Sequence, residues 1–233
     1  MRPRSPKVQK SPLPPLHNGD HLTQPEFHRR YEAYPEDVKF ELIGGIVYLA
    51  SPVKRLHGTY SPQLSLVLTA YKAGTPGLEV ADNMTAILGQ ESEPQPDLML
   101  RLLKECGGQS EYNEDDYLVG APELVAEVAH SSKAIDMGRK RQDYLEAGVQ
   151  EYLVLCLEEQ ELHWFHFPSR RKLKADRNSV WKSRIFPGLW LDEPALLARD
   201  SAQLIATVQQ GLATPEHEAF ARRLTEQLGR SPQ

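Results

Sequence analysis

Leu124-Val125-Ala126-Glu127-Val128-Ala129 and Tyr152-Leu153-Val154-Leu155-Cys156-Leu157 are two nearly unbroken apolar runs, with a helix-patterned stretch, 132–147, between them. Short apolar runs without polar alternation read as strands buried on both faces. Strand, helix and strand in this order predict a right-handed crossover joining two parallel strands of one sheet. Ser131 or Ser132 is placed to cap the helix, and Gly148 to stop it. Glu158-Glu159-Gln160 reads as a turn into a further strand, 161–167.

Outward from this unit, Pro96-Asp97-Leu98-Met99-Leu100 opens another buried strand, 97–102. Phe40-Glu41-Leu42-Ile43-Gly44-Gly45-Ile46-Val47-Tyr48-Leu49 reads as a hairpin about a Gly-Gly turn. Leu64, Val67, Leu68 and Tyr71 recur at helical spacing within a helix predicted from His57 to Lys72, which Gly74 and Pro76 end. Residues 23–34 read as a helix with Thr23 as N-cap and Glu26 completing a capping box. Short strands are expected at 78–81 and 84–88, and a polar, acidic loop at 104–117. The expected fold class is α/β, more strictly an α+β mixed sheet flanked by helices, with an N-terminal helix and hairpin. Residues 1–20, with Pro3, Pro6, Pro12, Pro14 and Pro15, read as a disordered tail. Residues 21–194 read as the main domain, and 195–233 as a peripheral helical extension.

At 233 residues the chain is long enough to bury one sizeable core. No apolar run approaches the roughly 18 residues of a membrane span, and no apolar stretch follows the basic N-terminus as in a secretory signal. The two cysteines, Cys106 and Cys156, lie far apart without a CxxC, which argues against zinc and disulfide frameworks and for a cytoplasmic protein. The net charge of −5 argues against a DNA-coating role, while leaving room for local basic patches. Three clusters are candidates for such patches: Lys54-Arg55, Arg139-Lys140-Arg141, and Arg170-Arg171-Lys172 with Lys174. Each also reads as an ordinary solvated face.

The chemistry-bearing oddity is a carboxylate in each of two buried strands, Asp97 and Glu127. Such a charge costs several kcal/mol unless it is paired or holds a metal. Alternation puts Asp97, Met99 and Arg101 on one face of their strand, and Val125, Glu127 and Ala129 on one face of theirs. If the strands are neighbours the acids converge and repel, unless a cation lies between them. Hard oxygen donors suit Mg²⁺ or Mn²⁺. Asp136, Lys140 and Tyr144, at i, i+4 and i+8, share a helix face that can present the lysine to these acids. The plainer alternatives are a structural Arg or Lys partner for Glu127 and an exposed Asp136–Lys140 pair. A two-carboxylate glycosidase is a weaker option, because its cleft is normally aromatic-rich and only 8% of this chain is aromatic.

In order along the chain, Phe40–Val47, Ser51-Pro52 with His57, Pro96-Asp97, Pro122–Val128, and the run from Asp136 through Lys140 and Tyr144 to Gly148-Val149-Gln150-Glu151-Tyr152 resemble the motifs of one family. It is the Uma-two family of putative restriction endonucleases, in the PD-(D/E)XK nuclease superfamily, and the resemblance spans roughly 22–192. It implies a restriction-endonuclease-like core and a metal-dependent endonuclease that hydrolyses DNA phosphodiester bonds. Asp97, Glu127 and the hairpin acid Glu41 would hold Mg²⁺ (or Mn²⁺), and His57 would sit near the mouth of the site. The usual lysine two residues after the glutamate is absent, since Ala129 stands there, and the displaced lysine of the next helix makes Lys140 the candidate. The family's "SPST" is here His130-Ser131-Ser132-Lys133, which makes Lys133 a rival. The implied partner is nucleic acid, DNA above all, and double-strand cutting would favour a homodimer. The alternative function is a catalytically inactive nuclease-like module that binds nucleic acid or a protein.

Overall fold

The computed structural model describes residues 13–35, 37–50, 52 and 54–230; residues 1–12 of the expected tail and Ser51 of the Ser-Pro motif lie outside the described residues. The chain folds as α1 (Gln24–Tyr31), β1 (Phe40–Ile43), β2 (Ile46–Leu49), α2 (Arg55–Ala73), β3 (Leu78–Asp82), β4 (Ala86–Ile87), β5 (Leu98–Leu102), β6 (Glu111–Tyr112), β7 (Leu118–Val119) and β8 (Leu124–Ala129). It continues through α3 (Lys133–Ile135), α4 (Arg141–Ala147), β9 (Glu151–Cys156), β10 (Glu161–His166), β11 (Arg171–Lys172), β12 (Val180–Lys182), β13 (Trp190–Asp192), α5 (Glu193–Ala198), α6 (Ser201–Leu212) and α7 (Pro215–Arg230).

A six-stranded sheet in the order β11-β10-β9-β8-β5-β3 organises the molecule. β8 and β9 pair in parallel and the other neighbours antiparallel, so the sheet is mixed as expected. Every residue of β8 and β9 is buried, which is why these two strands lack polar alternation. On one sheet face, Leu98, Leu100, Leu124, Ala126, Val128, Leu153 and Leu155 meet Leu64, Val67, Leu68 and Tyr71 of α2. The opposite face packs Val125, Ala129, Tyr152 and Val154 against Tyr144 of α4.

Several expectations are corrected. Residues 13–20 are seated rather than a free tail: Leu16 is buried with Phe27, Phe40 and Val47, and the Gly19 N–H donates to the Val47 carbonyl. α5, α6 and α7 are not peripheral, since Leu196, Leu204, Val208, Phe220 and Leu224 complete the same core as α2. Thr23 precedes α1 without a side-chain capping bond, and Glu26 pairs with Arg29 and Arg30 on its own helix rather than back to the cap. The expected helix 132–147 is interrupted: a wide π-type turn, Asp136–Lys140, separates α3 from α4. Gly138 absorbs the break at φ −106° and ψ −105°, outside the helical region. Ser132 makes no side-chain capping bond. Within the expected 104–117 loop, Glu111–Tyr112 forms β6, in a three-stranded sheet with β7 and β4.

Candidate active site

The site is built on the seam between β5 and β8. Their antiparallel register pairs Leu98 with Ala126 and Met99 with Val125. One step further, where the ladder ends, Asp97 stands opposite Glu127. The Asp97 N–H lies 3.2 Å from Glu127 Oε2, and the Val128 N–H donates to Asp97 Oδ2 at 2.8 Å. Pro96 has no N–H, so the backbone loses a ladder donor here and the two acids take up the neighbouring amides.

Three further elements bring their residues to this seam. Lys140, from the π-type turn, places Nζ 2.8 Å from Glu127 Oε1 and 2.9 Å from Glu41 Oε1. Glu41, on β1, also accepts the Gln95 N–H at 2.7 Å. His57, in the first turns of α2, holds Nε2 3.0 Å from both oxygens of Asp97. Tyr144 of α4 donates its hydroxyl to Glu127 Oε1 at 2.8 Å. Glu41, His57, Asp97, Glu127, Asp136 and Lys140 all line one cleft of about 270 Å³.

The hairpin that carries Glu41 is pinned from behind. Gly44 and Gly45 both take positive φ, 58° and 75°, as a tight two-residue turn requires. A Cβ on Gly44 would strike the Arg139 guanidinium, which closes over the turn while bonding Asp143 Oδ1 at 3.1 Å. The Gly44 N–H donates to the other oxygen of the same carboxylate.

Four acids face one ammonium, and the protonation equilibria reflect that shortage. Burial pushes the Glu127 carboxyl well above its usual range; Lys140 opposes the shift, while Asp97, Asp136 and Glu41 add to it. Burial likewise raises Asp136. For Lys140, burial disfavours the charged form, but Glu127, Glu41 and Asp136 overturn this and hold it a firm ammonium. Burial also works against the Asp97 carboxylate, yet the His57 hydrogen bond and charge, the Val128 N–H and Lys140 bring it below its ordinary value. The same bond to Asp97 raises His57. Among the described residues no three His, Cys, Asp or Glu side chains are grouped as ready ligands of an ion. Between Glu41 and Glu127 the gap is bridged by the Lys140 ammonium.

A family model described as "Putative restriction endonuclease", Uma2, matches residues 25–194. The chain belongs to the Uma-two family. The fold agrees: a crystal structure of a "putative nuclease belonging to DUF820" from Anabaena variabilis superposes with a TM-score of 0.59 at 14% identity, covering 73% of this chain and 96% of that one. No curated protein matches the chain.

Within this Uma-two domain all five expected site residues, Glu41, His57, Asp97, Glu127 and Lys140, come together. Lys133 does not: it pairs with Glu159 at the surface. Gln95 and His130 were not singled out by the sequence. Gln95 had a faint signal, since in Pro94-Gln95-Pro96 only the middle residue has an N–H to give. His130 lines the cleft, and among the described residues its buried Nδ1 has no partner. Tyr144 had the clearer signal, lying one helical turn past Lys140.

Proposed function

We propose that the protein is a divalent-metal-dependent endonuclease that hydrolyses phosphodiester bonds of DNA. The observation that carries this reading is the convergence of Glu41, Asp97, Glu127 and Lys140 on one cleft in a chain of a restriction-endonuclease family. In kind the donors suit Mg²⁺ or Mn²⁺: the carboxylates are hard oxygen donors, and four acids face a single lysine ammonium, which an ion would displace from between Glu41 and Glu127. Asp97 and Glu127 would hold the ion, with Glu41 completing the set. When bound, the ion supplies Lewis-acid stabilisation of charge on the phosphate and a lower pKa for its water.

The chain's own side chains do the rest. Lys140 Nζ donates hydrogen bonds to the attacking water or to a non-bridging phosphate oxygen, and its fixed charge offsets the charge that builds there. Tyr144 holds Glu127 in orientation by donating to Oε1. His57 fixes the Asp97 carboxylate through both oxygens and adds a donor at the mouth of the cleft. The Gln95 N–H holds Glu41 Oε1, the same oxygen that Lys140 reaches.

One observation favours a second reading, a nuclease-like module that binds nucleic acid or a protein without cutting: Lys140 already satisfies Glu41 and Glu127 together. Calorimetric titration with Mn²⁺ separates the two. The nuclease reading expects saturable binding that Asp97→Asn and Glu127→Gln each abolish. Absence of binding in the unsubstituted protein would overturn it and leave the module.

A further inference from the structure

A second cleft, of about 460 Å³, lies outside the candidate active site and is lined by Arg171, Lys172, Lys174, Lys182 and Arg184, with Leu173 and Ser183 between them. All five cations are exposed. Lys182 pairs with Asp176 and lies over the Trp190 ring; among the described residues the other four form no salt bridge. In a chain of net charge −5, four exposed cations beside the Lys182–Asp176 pair are a local excess of positive charge.

Edge protection explains part of it. β11 is the outer strand of the six-stranded sheet, and lysines and arginines on an edge discourage strand addition. It does not explain Lys182 and Arg184. These come from β12 and the segment after it, in a separate two-stranded sheet, and still converge on the same cleft. Cations brought together from two sheets repel one another unless an anion lies between them.

Register links one side of this cleft, Lys172, to the candidate active site, while Arg171 lies on the opposite face, so the cleft straddles the sheet edge. Directly paired residues share a sheet face, and the partners run Lys172–Phe165, Phe165–Tyr152 and Tyr152–Val125. Val125 and Glu127 lie on one face of β8, so Lys172 is on the Glu127 side of the sheet. Three strand spacings of about 4.8 Å separate β11 from β8, about 14 Å across the sheet. Between them Arg141 lies over the Phe165 ring, 5.0 Å from its centre, so a further cation marks the way. A duplex advances about 3.4 Å per base pair, so a handful of base pairs spans this interval.

We propose that the β11–β12 cleft binds the phosphate backbone of duplex DNA, as a contact separate from the candidate active cleft; this rests on the nuclease reading above. The contact positions the duplex and reads no sequence, because these cations reach phosphates rather than base edges. The test is binding of a labelled duplex of about 30 base pairs, in chelator so that nothing is cut, across a salt series. The wild type is compared with Lys172→Ala/Lys174→Ala/Arg184→Ala, three exposed positions. Each lost phosphate contact reduces the slope of log K against log salt by about 0.9, so the triple variant should bind more weakly with a slope lower by about 2–3. With metal restored, its KM for long duplex should rise while kcat holds. If the wild type binds and cuts but the variant keeps the same affinity and slope, the second contact is overturned and the nuclease reading stands. Unchanged affinity together with new self-association in sedimentation would assign the cations to edge protection, which also overturns it. A wild type that binds no duplex at low salt would remove the nuclease reading as well.

Discussion

Lys140 brings one ammonium into a cleft that Glu41, Asp97, Glu127 and Asp136 face, and it is itself buried. Removing one partner of a buried ion pair leaves the other uncompensated, at a cost of about 3–5 kcal/mol. Lys140→Met should therefore lower the unfolding free energy at neutral pH by about that much. Lys140→Met/Glu127→Gln should recover part of the loss, because the stranded carboxylate is gone. Denaturant titration of the four proteins closes the cycle, and strict additivity would mean that the two groups do not interact. Asp97 and Glu127 were legible because an acid in an apolar strand is costly and therefore conspicuous. Lys140 was not legible from spacing alone: an exposed i, i+4 pair and a buried one look the same in sequence. What separates Lys140 from Lys133 is depth, since Lys133 reaches Glu159 at the surface.

At the scale of elements, the hairpin and the segment after β8 hold the site in place. Gly44→Ala would put a Cβ into the Arg139 guanidinium at a backbone φ of +58°. The strain should cost at least about 1 kcal/mol and loosen the Glu41 hairpin, seen as faster amide exchange across β1 and β2. Glu123, buried at the start of β8, accepts the Leu102 N–H at 2.7 Å and the Gln109 N–H at 3.2 Å. Burial raises its carboxyl above the ordinary 4.5 despite these donors. The folded chain thus holds this proton more readily than the unfolded one. Its contribution is complete below pH 4.5 and is lost as pH rises toward the folded value. Glu123→Gln should therefore cost more stability at about pH 5 than at about pH 8, and an equal cost would contradict the shift. The strands and α2 were readable because periodicity is a local property of the chain. The helix break at Gly138 was not, since glycine within a helical pattern is usually tolerated. Here it lets the chain depart from helical geometry just before Lys140.

The whole molecule is held by a core that runs through the sheet, α2 and the three C-terminal helices. Tyr71 of α2 packs edge-on against Phe186, and Phe186 against Phe220 of α7, with all three rings buried. A chain ending at residue 194 would lose the apolar side chains of α5, α6 and α7, each large one worth about 2–5 kcal/mol by truncation data. It should fail to fold cooperatively, with near-ultraviolet circular dichroism lost. A truncated chain that kept native spectra and a sharp transition would restore the view of these helices as an extension. Amphipathicity announced the helices but not their partners, because a core contact running from Tyr71 through Phe186 to Phe220 is invisible to any local pattern. Strand alternation supplied the convergence of Asp97 and Glu127, and resemblance the family and Glu41; the ordering of cations across the β11–β12 cleft needed three dimensions. The most direct measurement of the central claim is cleavage of duplex DNA with Mg²⁺ or Mn²⁺ by the wild type, Asp97→Asn and Glu127→Gln. Metal-dependent cutting by the wild type, lost by at least about a hundredfold in both variants, is the predicted result. Equal cutting by all three, or none by any, would contradict it.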